Sequence, residues 1–265
     1  MNLLWFTRNL RRALRVCPTW TSRLQLLRLI YAHKLHGWTK LTEGQSILFR
    51  YPPPVGTMRV ILRSNAGSDN FVFGEVFDHG YYDFDLPTLP KTILDLGANA
   101  GYSAIFFSRK YPQASIACVE PMPQNVAVLR QNLLLNDIQA RVFAAAIAVE
   151  DGPIQMETNV RDYGHKVAIN GLEISGALVS CEGISVPSLM KQMGWERIGL
   201  LKMDIEGYER LLLTEKCEWL KWVDSICVEI HEGYDEADLK EMAATHGFDQ
   251  PRCLRGIWLV LSKSS

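Results

Sequence analysis

Apolar positions recur at spacings of three and four along the first 36 residues, at Leu3, Phe6, Leu10 and Leu14 and then at Leu24, Leu27, Ile30 and Tyr31. That period predicts one or two amphipathic helices, parted at Pro18. Residues 45–90 hold shorter strand-like runs, Ser46 to Phe49 and Arg59 to Leu62, with turn material at Pro52-Pro53-Pro54 and Asn65-Ala66-Gly67. From residue 91 the pattern changes to apolar runs of strand length: Thr92 to Leu96, Ser115 to Glu120, Ala140 to Ile147, Leu200 to Ile205 and Ser225 to Ile230. All but the third are followed closely by helix-like sequence, which predicts βαβ units and a doubly wound, mostly parallel α/β sheet. The less regular stretch after Asp151-Gly152-Pro153 is expected to add a hairpin. A last run, Ile257 to Leu261, has no helix after it and is expected to pair antiparallel. The chain therefore divides into a helical extension (1–44), a cap of short strands (45–90) and a ligand-binding α/β domain (91–265).

Charge adds one feature to this picture. The first 42 residues carry eight Lys or Arg and no acid, which leaves 20 basic residues against 29 acidic ones, a body of net charge −9. The extension is read first as helices packed on the main domain with solvated arginines. The alternative is a helix lying on an anionic membrane surface. Arg8, Arg11, Arg12 and Arg15 interrupt any signal-peptide core or membrane span. Six cysteines without a C-x-x-C pair fit a reducing compartment, so the expected location is cytoplasmic, peripheral to the membrane if the extension docks there.

The sharpest motif is Asp95-Leu96-Gly97-Ala98-Asn99-Ala100-Gly101-Tyr102, a strand that ends in an acid and a glycine-containing turn that opens a helix. The first βα turn of such a sheet is where nucleotides sit. A dinucleotide fingerprint would read G-x-G-x-x-G, and the G-x-N-x-G found here argues against NAD. Asp95 would repel a pyrophosphate at the helix N-terminus but can hold the ammonium of a methionine moiety. Glu120, at the tip of the next strand and 25 residues beyond Asp95, can accept both hydroxyls of a ribose. Together they point to an adenosine ligand that carries positive charge.

Two further clusters fall at the carboxyl edge. In Leu201-Lys202-Met203-Asp204-Ile205-Glu206-Gly207-Tyr208-Glu209, strand alternation places Lys202, Asp204 and Glu206 on one side. In Val228-Glu229-Ile230-His231, Glu229 and His231 share a face. His231 titrates near working pH and is the first candidate for a general base, with Glu206 and Asp204 next. Lys202 and Glu229 are expected to meet the substrate. Carboxylates 204, 206 and 229 offer Mg²⁺ ligands as well, an assignment ranked below the metal-free one.

With these motifs in view, the chain resembles the FkbM-type methyltransferase family, in Asp95 to Gly101, Leu201 to Glu209 and Val228 to His231, with similarity reaching back through Tyr82 and Val76-Phe77 to Ser68-Asp69. The resemblance implies a class I methyltransferase sheet, S-adenosylmethionine as donor, and O-methylation of a sugar, glycan, polyketide or related metabolite. By motif position Asp95, Gly97, Asn99, Gly101 and Tyr102 would line the methionine end, Glu120 the ribose, Asp204 the cofactor's edge, and Tyr82 the acceptor. The family tends to carry an acid where Pro187 stands, and residues 1–42 lie outside the match. Two rival functions are weighed: N-methylation of protein or nucleic acid, against which stands the lack of an Asn-Pro-Pro-Tyr type loop after the fourth strand, and a non-catalytic scaffold, against which stand Asp95, Glu120 and Asp204. Nucleic acid is accordingly not an expected partner.

Overall fold

The computed structural model describes residues 3–32, 44–158, 166–167 and 177–263. Residues 33–43 of the basic extension, and 159–165 and 168–176 of the stretch expected to add a hairpin, lie outside this description.

Helices α1 (Leu3–Val16) and α2 (Trp20–Ala32) form the predicted pair. Between them Thr19 Oγ1 accepts the Ser22 amide at 3.1 Å and caps the second helix. Strands β1 (Gln45–Arg50) and β2 (Thr57–Leu62) make an antiparallel hairpin, followed by a short helix α3 (Ser68–Phe73) that runs into a wide turn over Gly74–Asp78.

The βα alternation then begins: β3 (Thr92–Leu96), α4 (Tyr102–Lys110), β4 (Ser115–Val119), α5 (Pro123–Leu135) and β5 (Ala140–Phe143). The third apolar run does not stay one strand. After β5 the chain leaves the main sheet, and β6 (Ala146–Ile147) pairs with a second sheet that includes β7 (Gly152–Thr158), β8 (Lys166–Val167) and β9 (Ala177–Ile184). Strands β7 and β9 pair antiparallel, which supplies the expected hairpin. The rest is α6 (Val186–Met193), β10 (Leu200–Met203), α7 (Glu209–Thr214), β11 (Ser225–Val228), α8 (Glu236–His246), β12 (Arg252–Leu254) and β13 (Ile257–Leu261).

The main sheet has the order β12-β13-β11-β10-β3-β4-β5. The five strands β11, β10, β3, β4 and β5 are parallel, with β5 at the edge, and β13 runs antiparallel to β11 as the missing helix predicts. The order reverses between β3 and β10, and a crevice opens at such a switch point, outside the carboxyl ends of the strands.

Period-two alternation sorts the strand residues into two layers. Ile93, Ile116, Leu200 and Cys227 face the side of α4 and α5, while Leu94, Ala117, Leu201, Met203 and Val228 face the side of α6, α7 and α8. The α4/α5 side carries a further layer. Helices α1 and α2 and the β1–β2 hairpin share its apolar cluster through Ala13, Leu26, Ile47 and Val60. Helix α5 serves the free edge of β2 in place of a strand: Asn132 Oδ1 accepts the Ile61 amide at 2.7 Å, and Asn136 Nδ2 donates to the Arg59 carbonyl at 2.8 Å. All six cysteines are free thiols. Among the described residues no helix is long and apolar enough to cross a membrane.

Candidate active site

At the switch point lies a pocket of about 290 Å³. The Gly97-Ala98-Asn99 turn forms its floor, Val119, Glu120 and Pro121 one flank with Ala146, Ile147 and Met156, and Asp204, Glu206, Glu229 and His231 the other end. Phe71, Val72, Glu75, Val76 and Tyr82 close it from the α3 side. No residue of the β1–β2 hairpin reaches it, so within the segment 45–90 the part that meets the pocket is the stretch after residue 70.

The turn after β3 is built on backbone proximity. Gly97 has φ +72°, and a Cβ there would stand 1.9 Å from the Asp204 carbonyl oxygen. Glycine is therefore required for β3 and β10 to end side by side. Gly101 has a different task from the one expected of it. It also sits at positive φ, but its missing Cβ makes room for Leu129 of α5 at 2.5 Å, and it does not line the pocket. The helix opened by this turn must pack against α5, and sequence spacing cannot tell a packing glycine from a ligand-facing one.

Asp95 requires a second correction. Its side chain is fully buried below the turn, where Ser103 Oγ donates to Oδ2 at 2.6 Å and Lys202 Nζ lies 3.2 Å from Oδ1. It is not on the pocket wall, so it cannot hold an ammonium directly. Lys202, expected at the substrate, donates instead to the carbonyls of Leu96 at 3.1 Å and Gly97 at 2.7 Å. Two of its donors are so used, and Asp95 Oδ1 is held beside the ammonium as an ion pair. Burial opposes that charge, but Asp95 and Asp204 outweigh it and raise the lysine to about 12. The pair is a buried clamp that fixes the turn between β3 and β10.

Glu120 sits where predicted, at the end of β4 and buried. Its Oε2 accepts the Asn99 amide at 2.9 Å, and its Oε1 accepts the Met122 amide at 3.0 Å and Asn125 Nδ2 at 3.2 Å. Burial pushes its pKa up against these hydrogen bonds. The three donors hold the carboxylate rigid and leave one lone pair, on Oε2, for a hydroxyl. Tyr102 is buried at the wall and donates to the Ile61 carbonyl at 3.2 Å; the Tyr82 ring packs tilted against Phe107 with centroids 5.2 Å apart.

The far end of the pocket gathers Asp204, Glu206 and His231 as the motifs predict. His231 Nε2 is 3.8 Å from Asp204 Oδ1 and 3.6 Å from Glu206 Oε2. Glu206 adopts φ +55° in the turn between β10 and α7. Behind the imidazole stands Glu209, fully buried, with Oε1 2.9 Å from His231 Nδ1. The Glu209 carboxylate also accepts the amides of Ile205 at 3.1 Å and Gly207 at 2.8 Å. It thus ties the turn to the histidine, fixes a proton on Nδ1 and turns Nε2 toward the pocket. Burial lowers the imidazole's basicity, but the hydrogen bond and charge of Glu209, with Asp204 and Glu206, outweigh it and raise the pKa to about 9.

Two residues in this end carried no assigned role in the sequence. Glu209 is part of the quoted motif, and its position four residues after Ile205 is the only local hint of its use. Glu75 has no local signal. It comes from the turn after α3, and burial, with Asp204 nearby, pushes its carboxyl up to about 7. Burial and Asp204 raise Glu229 as well. Asp204, Glu206 and His231 bring one ligand atom each within 4.8 Å of one another, a set able to take a divalent cation. Glu229, named with the two acids as a metal ligand, is not in that set. A protonated His231 supplies positive charge at the same point. Pro187 lies in the first turn of α6, whose N-cap is Ser185 and whose start Asp151 secures by accepting from Ser185 and Ser188, outside the pocket.

Comparison with known proteins gives a consistent family. Residues 95–246 match the domain described as Methyltransferase FkbM domain. The chain is 30% identical over 218 residues to Methyltransferase sdnD of Sordaria araneosa, covering 69% of this chain and 83% of that protein. It is 26% identical over 219 residues to 31-O-demethyl-FK506 methyltransferase FkbM of Streptomyces tacrolimicus, with 69% and 83% covered. It is 28% identical over 135 residues to 2-O-methyltransferase NoeI of Sinorhizobium fredii, covering 44% of this chain and 54% of that protein.

Proposed function

Since the chain belongs to the FkbM methyltransferase family and is a methyltransferase, we propose that it transfers the methyl group of S-adenosylmethionine to a hydroxyl oxygen of a small molecule or glycan. The observation that carries this reading is one pocket with two different ends: a rigid buried carboxylate, Glu120, on one flank, and the Glu209–His231 pair at the other. Relatives named as O-methyltransferases support the hydroxyl acceptor.

The residues present fit that donor. Glu120 Oε2 keeps a lone pair for a ribose hydroxyl, Val119, Pro121, Ala146 and Ile147 offer an apolar slot for a purine, and the Gly97–Asn99 turn leaves room for the amino-acid tail. When bound, the donor supplies an electrophilic sulfonium methyl. The acidic groups Asp204, Glu206, Glu229 and Glu75 suit a cationic ligand beside them. His231, held by Glu209, would take the acceptor hydroxyl's proton on Nε2 as that oxygen gains the methyl group the donor supplies. Glu206 and Asp204 orient the resulting imidazolium. The walls at Phe71, Val76 and Tyr82 hold the acceptor and exclude water, and positioning of the two reactants provides much of the rate.

The test is calorimetric titration with S-adenosylmethionine and S-adenosylhomocysteine, with NAD as control, followed by an acceptor screen for methylated hydroxyls beginning with sugars and glycans. Micromolar donor binding that Glu120→Gln weakens, with methyl ether formation, supports the proposal. Absence of donor binding, or methyl transfer to nitrogen alone, overturns it.

A further inference from the structure

Helix α1 buries one side and leaves two different stripes outside. Ala13 and Val16 are buried and Trp5 is half-buried, while Arg12 turns inward to Asp78 at 2.7 Å and Asn70 at 2.7 Å. Placed at 100° per residue, Phe6, Leu10 and Leu14 form one row of the outer surface, and Arg8, Arg11 and Arg15 the row beside it. Phe6 and Leu14 are exposed, as are Arg8 and Arg11, and Leu4 among the basic residues is 75% exposed. The outer face of α2 repeats the theme, with Trp20 72% and Leu24 52% exposed and Arg28 exposed one turn on. The Phe6 and Tyr31 rings, with centroids 5.7 Å apart, join the two helices' outer faces. Arg23 lies over the Trp20 ring at 4.8 Å.

This arrangement is not that of a solvated helix. A helix packed on a core by one side has no need of Phe, Leu and Trp on the other, and a surface built only for a polyanion such as RNA would need arginines without the apolar row. Apolar side chains at the level of acyl chains, arginines at the level of headgroups and an interfacial tryptophan are what a bilayer surface selects. No acid interrupts the first 42 residues, so the stripe is unopposed in charge by its own segment. We propose that the outer face of α1 and α2 docks on an anionic lipid bilayer, with Phe6, Leu10, Leu14, Trp20 and Leu24 entering the interface and Arg8, Arg11 and Arg28 binding lipid phosphates. Arg12 ties α1 to Asn70 and Asp78, which flank the segment that supplies Phe71, Val72, Glu75 and Val76 to the pocket, so docking is linked to a wall of the active site.

The experiment is co-sedimentation of the full chain with vesicles of phosphatidylcholine alone and of an equal mixture of phosphatidylcholine and phosphatidylglycerol. The chain should sediment with the anionic vesicles and stay in solution with the neutral ones. Arg8→Gln with Arg11→Gln should lower partitioning roughly 25-fold, about fivefold per arginine at an anionic surface. Trp20→Ser with Leu24→Ser should lower it by about tenfold or more through lost apolar insertion. All four residues are exposed, so circular dichroism and donor affinity should stay those of the parent chain, which separates failure of docking from failure of the enzyme reading. No sedimentation with anionic vesicles overturns the proposal. So does loss confined to the arginine variant with equal capture of RNA, which would mark a polyanion site. A dimer in sedimentation equilibrium that both variants dissociate would assign the face to a second copy and likewise overturn it.

Discussion

Replacing Glu209 by Gln removes one negative charge while nearly preserving shape: with its oxygen in the Oε1 position the amide still accepts the Ile205 amide and the His231 proton, while its NH2 group takes the place of the Oε2 that accepts the Gly207 amide, and that one hydrogen bond is lost. The change is felt at His231, whose Nδ1 lies 2.9 Å from Glu209 and whose pKa of about 9 owes its rise first to that partner, against burial. An opposite charge in contact moves a pKa by about 1–3 units, so the imidazole of the variant should titrate roughly that much lower. The sign follows from the base needing to be neutral. In the parent enzyme kcat should climb with pH toward 9, because only a small fraction of His231 is unprotonated at pH 7. In Glu209→Gln the limb should move toward lower pH, and the plateau should fall by about tenfold because a weaker base drives proton transfer less. The two profiles therefore approach each other near neutrality and separate above pH 8. The assay is methyl transfer from saturating donor over pH 6–10, under which the bound donor's charge displaces both limbs together and cancels in the comparison. His231→Gln should remove the limb and cost about 10²–10⁴ in kcat with donor affinity kept. An unshifted limb in Glu209→Gln, or undiminished turnover in His231→Gln, would refute the assignment.

Other consequences are open to measurement. Glu120→Gln keeps a partner for some of the Asn99, Met122 and Asn125 donors but loses the charged acceptor for a hydroxyl, and donor Kd should rise about 10- to 100-fold by calorimetry. Gly97→Ala places a Cβ 1.9 Å from the Asp204 carbonyl at positive φ, and urea unfolding should show a loss of about 2–5 kcal/mol. Lys202→Met leaves Asp95 charged and buried without its ion pair, which should cost about 3–5 kcal/mol in the same experiment; a loss of acceptor affinity with stability intact would return Lys202 to the substrate. EDTA should leave turnover unchanged, because the acceptor's proton goes to His231 Nε2, held by Glu209, with no metal needed to acidify the hydroxyl; activity that returns only with added Mg²⁺ or Mn²⁺ would make Asp204, Glu206 and His231 a metal site.

The parts legible in the sequence are those encoded by neighbours along the chain. Apolar period and strand length marked β3, β4, β10, β11 and the helices between them, because a side chain's choice of face is set every two or every 3.6 residues by local geometry. The glycine turn after β3 and the acids at 120, 204 and 206 could be placed at one sheet edge for the same reason, since the carboxyl ends of parallel strands all open to one side. What a buried polar group pairs with is a different matter. Asp95 reads as a ligand group until Lys202, 107 positions later, is seen to neutralise it below the turn. Gly101 reads as part of a cofactor loop until Leu129 fills the space its side chain would need. Glu75 enters the pocket only because α3 is brought against the sheet through α4, and Glu209 becomes the partner of His231 only because β10 and β11 lie side by side. The local sequence determined the strands, the helices and the edge at which chemistry gathers. Tertiary packing decided which charges face the pocket and which are spent holding it together, because burial and pairing energies depend on residues that only the fold brings within a few ångströms.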